Sequence, residues 1–284
     1  MAKQNISTGM WKRHLLHALA YVFCITIAFT AFYPFYTMLI ASTHNSYDIV
    51  THLNLLPGDN FIHNYERLTQ NINIWQGFFN SLFLAAACVA VKLYFSSLAA
   101  YAFSKFQFKG RNFMFGVIMV MMMLPGQLGI IGFYQEISKM HLLDSYLPII
   151  IPAISDCFVI FFFKQFMDGG LPTEIIEAAY VDGCKELTIF HRMVLPIVSP
   201  ALVAQGVLTF IGSWNSYMMP LILLRSKSKM TLPLLVATVQ DAMRSEYGAQ
   251  YVGMLLSVIP LVVVYCFASK VIMEKIAIGA AIKG

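Results

Sequence analysis

Charge is scarce in this sequence. Only 12% of its 284 residues are Asp, Glu, Lys or Arg, against about 25% in soluble domains. The shortage is concentrated in blocks. No charged residue occurs from His14 to Tyr47, and none from Met193 to Leu224. A helix crossing the hydrocarbon core of a bilayer needs about 20 such residues. With 58% of the chain hydrophobic, where soluble domains hold about 45–50%, an ordinary soluble enzyme is excluded. Cysteine pairing is missing as well. Cys24, Cys88, Cys157, Cys184 and Cys266 form no CxxC and no zinc-type spacing. All but Cys184 lie in apolar blocks, where a thiol behaves as a small hydrophobe. There is no G-x-x-x-x-G-K-[ST], so the chain carries no P-loop for ATP phosphates. No Ser/His/Asp or Cys/His set supports an intramembrane protease. His44, His52 and His63, with Asp48 and Asp59, are spaced by eight and eleven residues, which matches no metal pattern. The net charge of +5 comes from short basic clusters at the ends of apolar blocks. That is the pattern of membrane topology, not of a nucleic-acid face.

What is present is an all-α polytopic membrane pattern. Six apolar spans fall at roughly 15–41, 77–103, 113–134, 146–166, 196–224 and 251–271. The first is too long for the core of a signal peptide and ends in no A-x-A-like site, so it is expected to be retained. Pro125 interrupts the Met-rich third span, Pro148 and Pro152 the fourth, Pro200 and Pro220 the fifth, and Pro260 the sixth. Such breakers are tolerated where neighbouring helices or cavity water satisfy the freed backbone. One membrane domain, 15–284, follows a short N-terminal segment, 1–14. No internal repeat is visible, which weighs against repeat-built secondary transporters. Twelve Lys and Arg fall on the side of the N-terminus and six on the other, with Lys92 inside a span. That bias predicts both termini in the cytoplasm and places the loop 42–76 outside.

One segment between the fourth and fifth spans is neither membrane nor plain linker: Leu171-Pro172-Thr173-Glu174-Ile175-Ile176-Glu177-Ala178-Ala179-Tyr180-Val181-Asp182-Gly183. Pro172 suits a first helical turn, Glu174 and Glu177 complement the positive end of the helix dipole, and Gly183 is a natural stop. A second short amphipathic stretch, 185–194, leads to Leu195-Pro196. Two short helices about a glycine corner make a rigid knob, on which Ala178 and Ala179 would let another surface come close. A solvated acidic helix is the bland alternative.

The spacing of Glu177-Ala178-Ala179, Gly183 and Leu195-Pro196 resembles the EAA loop of ABC importer permeases, with Met193 where that pattern has Ile. Asn80-Ser81-Leu82, Ser97 to Phe103 ahead of Lys109-Gly110-Arg111, Trp214-Asn215 and the terminal Gly279 to Gly284 are similar to the carbohydrate branch, in particular to the smaller permease of maltose systems. The resemblance implies a type I importer fold of six transmembrane helices, with the EAA coupling loop at 167–196. It implies a bacterial plasma-membrane protein with no catalytic residues, no metal and no cofactor of its own. ATP and magnesium would be bound by two partner ATPase subunits, docked through Glu177, Ala178, Ala179, Asp182, Gly183, Leu195 and Pro196. The other expected partners are a second permease, a different chain, and an extracytoplasmic sugar-binding protein that the outer loop would contact. The cargo is expected to be a carbohydrate, an oligosaccharide above all. An importer of another organic solute, such as a glycerophosphodiester, is the alternative within the class, and an ion-coupled secondary transporter the alternative outside it.

Four residues are candidates for the substrate path. Lys92 and Asp156 are costly inside spans, so each faces a watery path or an interhelical partner. Trp214 and Asn215 in the broken fifth span would stack on and hydrogen-bond a sugar, or else pack and cap a weakened helix. Lys92, with Arg225, Lys227 and Lys229 at the outer mouth, raises the expectation of an acidic sugar. The competing expectation is that Lys92 pairs with Asp156 or snorkels to the interface, while the loop cluster grips an acidic face of the binding protein.

Overall fold

The computed structural model describes the backbone of residues 4–242 and 245–283, and side chains over 13–238, 245–267, 269 and 270. Lys3, Arg244 and Gly284, which enter the charge count or the terminal motif, lie outside the described residues. Every regular element among the described residues is helical, and the chain divides into two compact units.

The first unit holds the chain as far as Asn71 together with Val239–Leu256. Its α1, Gln4–Ser42, is 39 residues long. At about 1.5 Å per residue it outspans a hydrocarbon core of about 30 Å. From Leu15 to Phe32 its large apolar side chains are exposed on every face, and only lipid or another apolar surface could cover them. The stretch after it, expected as an outer loop, is folded. It forms α2 (Ser46–Thr51) and α3 (Phe61–Asn71). The Asn64 amide, almost wholly buried, donates to the carbonyls of Ser42 and His44 at 2.9 Å each. Gly58 sits so close that a Cβ would fall 2.6 Å from the Thr43 carbonyl oxygen.

The second unit comprises Ile72–Thr238 and Ser257–Gly284. Its axis is α4, Ile74–Lys105, capped by the Asn73 side chain, which accepts the Gln76 amide. Along α4 pack α8 (Cys157–Gly170) and α12 (Ser199–Trp214). Before α8 the chain forms α5 (Arg111–Met123), α6 (Ile130–Lys139) and α7 (Leu147–Ile150). Between α8 and α12 come α9 (Thr173–Val181), α10 (Glu186–Ile189) and α11 (Leu195–Ile197). After α12 follow α13 (Met218–Leu223) and then α14 (Leu232–Ala242) and α15 (Tyr247–Lys283), each of which is divided between the two units.

Arg13–Ser42, Ile74–Lys105, Leu147–Gly170 and Tyr247–Phe267 are each long and apolar enough to cross a membrane, and the spans number six if each bent pair counts as one. The first bend falls at the Pro125 interruption, and the second corrects an expected boundary. The third span breaks at Leu124 and Pro125, where the residue before proline is extended. Its limbs, Arg111–Met123 and Gly126–Lys139, meet at 88°. The fifth, expected over 196–224, instead turns through 78° at Val198, between Glu186–Ile197 and Ser199–Trp214. Then α12 stops at Trp214 and helix resumes only at Met218. Pro260, by contrast, leaves α15 unbroken.

Candidate functional site

The motif segment is built as a knob on a buried base. Ile176 and Ala179, three apart on α9, turn inward onto Leu171, Tyr101, Ile189, Phe190 and Val194. Burying each large apolar side chain of this kind stabilises by about 1.5–3 kcal/mol. Ala179 is 1% exposed, so the close approach expected of both alanines is open to Ala178 alone. Pro172 sits one residue before the helix, as its extended cap, rather than inside the first turn.

Gly183 adopts φ +76°. Around it the Cys184 amide donates to the Ala179 carbonyl at 3.0 Å and the Gly183 amide to the Tyr180 carbonyl at 2.9 Å. These are the two bonds of a Schellman stop, which needs a left-handed residue at the glycine's position. On the outer face stand Glu174, Glu177, Ala178, Val181 and Asp182, all exposed. Val181 is 88% exposed and Leu187 58%. The Glu177 carboxylate makes no hydrogen bond or ion pair among the described residues. Apolar groups held out beside free carboxylates, on a rigid base, are the composition of a docking surface.

Three ties that sequence reasoning missed clamp the knob to α4. The Glu186 carboxylate accepts the Tyr101 hydroxyl at 2.8 Å and the Tyr180 hydroxyl on its other oxygen. The hydrogen bond to Glu186 needs the phenolic proton, and with some burial and the carboxylate's charge it pushes the Tyr180 phenol up to about 12. Lys105 donates to the Leu171 carbonyl at 2.6 Å, closing the end of α8. Tyr94 meets His191 at 3.3 Å. Of these, only the basic residue at a helix end had a signal in the sequence.

Above the knob, in the same unit, lies a cavity of about 800 Å³. Lys92 and Asp156 both line it, and they pair at 2.7 Å. The other Asp156 oxygen accepts the Val159 amide at 3.1 Å, so one carboxylate caps α8 and neutralises the lysine. Trp214 is not in this wall. It is 1% exposed, its indole N–H donates to the Ser257 carbonyl at 3.0 Å, and its ring packs between Phe78 and Phe210. Asn215 is exposed and closes α12 through its backbone. The fifth span instead contributes Gln205, Thr209, Ser213 and Ser216. Sequence reasoning missed this row, although polar residues four apart in an apolar run lie on one helix face.

The basic cluster after α13 is mostly spoken for. Asp144, at φ +57°, accepts the amides of Arg225 and Ser226 at 2.9 Å each and the Ser226 hydroxyl at 2.6 Å. Lys229 lies 3.2 Å from the same carboxylate. The Ser226 hydroxyl, then the two amides, hold the Asp144 carboxyl well below the usual carboxylate range. Arg225 reaches the Tyr134 hydroxyl. Only Lys227 of the three expected cations is exposed and without a partner among the described residues. No three His, Cys, Asp or Glu side chains among the described residues converge as a metal site.

Residues 92–277 match the family described as binding-protein-dependent transport system inner membrane component. The arabinooligosaccharides transport system permease protein AraQ of Halalkalibacterium halodurans is 32% identical over 91% of this chain and 93% of its own length. The lactose transport system permease protein LacG of Rhizobium radiobacter is 31% identical over 89% and 92%. Among solved structures, a chain of a bacterial ABC transporter for import of the acidic polysaccharide alginate superposes with TM-score 0.79 at 24% identity, covering 90% of this chain and 96% of that one. That likeness is one of fold.

Proposed function

The chain belongs to the family of binding-protein-dependent transport inner membrane components, and from that premise we propose that it is the permease subunit of an ATP-driven importer of a carbohydrate, an oligosaccharide above all. It is a transport subunit and not an enzyme. The observation that carries the mechanism is the knob: a short acidic and apolar helix, held out on a buried base and tied to the longest helix beside the cavity. Two ATPase subunits, which bind ATP and magnesium, would dock on Glu177, Ala178, Asp182 and the Gly183 corner, with Leu195 and Pro196 carrying the motion toward α12. Ala179 supports that surface from beneath. When the ATPases close, the knob moves as a lever and Tyr101, Lys105 and Tyr94 pass the motion to α4. A second permease completes the path, and an extracytoplasmic sugar-binding protein delivers the cargo to the folded segment 42–76 and its neighbours. Both termini lie in the cytoplasm in this reading, with 1–14 preceding a permease domain over 15–284.

Lys92 and Asp156 belong to the substrate path, while Trp214 and Asn215 support it through the packing of α12. The paired state of Lys92 disfavours the phosphodiester alternative, which would need an uncompensated cation. The same pairing disfavours ion-coupled transport, because Asp156 is held by a lysine and a helix end.

The test is uptake by the complete transporter in proteoliposomes. Glu177→Lys reverses charge on the docking face, and Gly183→Pro removes the left-handed corner. Both variants are expected in the membrane at wild-type amount with transport abolished. Wild-type uptake in both would sink the coupling assignment.

A further inference from the structure

The wall of the cavity specifies what it can hold. Gln205 is 3% exposed, and its amide, with two donors and two lone pairs, has no partner among the described residues. Ser96 Oγ and Thr231 Oγ1 are sealed in protein without partners. Gln205 differs, because it lines the cavity. Thr209, one turn on and 8% exposed, lines the same space with no side-chain partner among the described residues. A buried polar group left unmatched is destabilising, so whatever fills the cavity must offer both donors and acceptors. Ser213 and Ser216 extend the same row, and Phe133 and Phe158 add apolar surface.

Charge narrows the class further. Among the described residues, Lys92 and Asp156 are the only charged ones in the lining, and they neutralise each other at 2.7 Å. An anion could take Lys92 only by leaving Asp156 without its counter-charge, and breaking such a partly buried pair is strongly unfavourable. A cavity of this volume suits a ligand of small-oligomer size, since ligand pockets run from about 300 to 1,000 Å³.

We infer that this wall is a subsite for an uncharged, polyhydroxylated ligand. Gln205 and Thr209 bind its hydroxyls, and the Lys92–Asp156 pair discriminates against anionic glycans. The inference rests on the carbohydrate-importer reading and goes beyond it by placing a ligand subsite on this chain and fixing the ligand's charge.

The experiment uses the complete transporter with one unchanged binding protein, in proteoliposomes. The probes are arabinotriose, maltotriose and raffinose as neutral glycans and trigalacturonate as the acidic one. Gln205→Leu is expected to raise the KM for the best neutral glycan roughly five- to tenfold, the loss of about one hydrogen bond to a neutral group. Asp156→Asn keeps an N-cap side chain but frees the lysine's charge. It is expected to raise the ratio of acidic to neutral uptake about tenfold. Lys92→Met combined with Asp156→Asn should return that ratio to the wild-type value, which a merely structural role for the pair would not do. Because the binding protein is the same throughout, a change in the ratio reports the cavity. An unchanged KM in Gln205→Leu, or an unchanged ratio in Asp156→Asn, overturns the subsite. Uptake of no glycan at all by the wild type, with ATP hydrolysis still stimulated, overturns the carbohydrate reading beneath it.

Discussion

Gly183 stands at φ +76° with open space where a Cβ would sit, so an alanine there meets strain and no clash. The left-handed conformation costs an ordinary residue roughly 1–2 kcal/mol. Gly169, inside α8 and also facing open space, carries no such conformation, and alanine there gains about 0.5–1 kcal/mol of helix preference. Gly183→Ala is therefore expected to lower the thermal midpoint of the purified protein by a few degrees and Gly169→Ala to raise it. Gly183→Asn should fall between Gly183→Ala and wild type, because asparagine tolerates the left-handed region. A midpoint unmoved in Gly183→Ala would mean that backbone strain is not what demands glycine at this corner. Ala179 illustrates a different constraint at the same scale: at 1% exposure its small size serves the packing of α9 on its own core.

At the scale of the element, the knob depends on the junction where Glu186 takes two tyrosine hydroxyls. Tyr180 ionises at about 12, above the ordinary value near 10. A group whose folded pKa is raised contributes its stability in full below pH 10 and loses it as the pH climbs from 10 to about 12. Tyr180 is 44% exposed, so solvent screening keeps that contribution small. The expected signature is spectroscopic. The absorbance of tyrosinate at alkaline pH, compared between wild type and Tyr180→Phe, should reveal one phenol titrating near 12. In Glu186→Gln that phenol should return toward 10. A Tyr180 that titrates at 10 in the wild type would show the junction to be open.

Taken whole, the proposed orientation of the chain rests on where lysine and arginine fall. With the N-terminus inside, a reporter active only on the outer side should work when fused within 50–65 and fail when fused after Lys109 or at Gly284. The reverse pattern would overturn the proposed orientation and, with it, the proposed cytoplasmic placement of the knob. The cavity and the knob meet on one helix, because α4 carries both Lys92 of the cavity and Tyr94, Tyr101 and Lys105 of the knob clamp. From Lys92 to Lys105 that helix rises about 20 Å, so one element joins the two sites without an intermediate.

By itself the sequence determined the class of protein, because apolar blocks without charge cannot be stable in water and must be helical in lipid. It also determined the motif helix and its stop at Gly183, since helix and glycine corner are local geometry that a spacing records. Tertiary structure decided the rest. Whether Lys92 meets Asp156, 64 residues away, is a matter of how α4 and α8 pack, and nothing in either span alone states it. Trp214 has the composition of a sugar platform, but Ser257, Phe78 and Phe210 enclose it. Gln205 reads as one polar residue in an apolar run, and only a cavity can leave its amide without a partner. Periodicity and composition are properties of a segment, whereas ion pairs, buried rings and cavities form between segments whose contacts the local pattern does not encode.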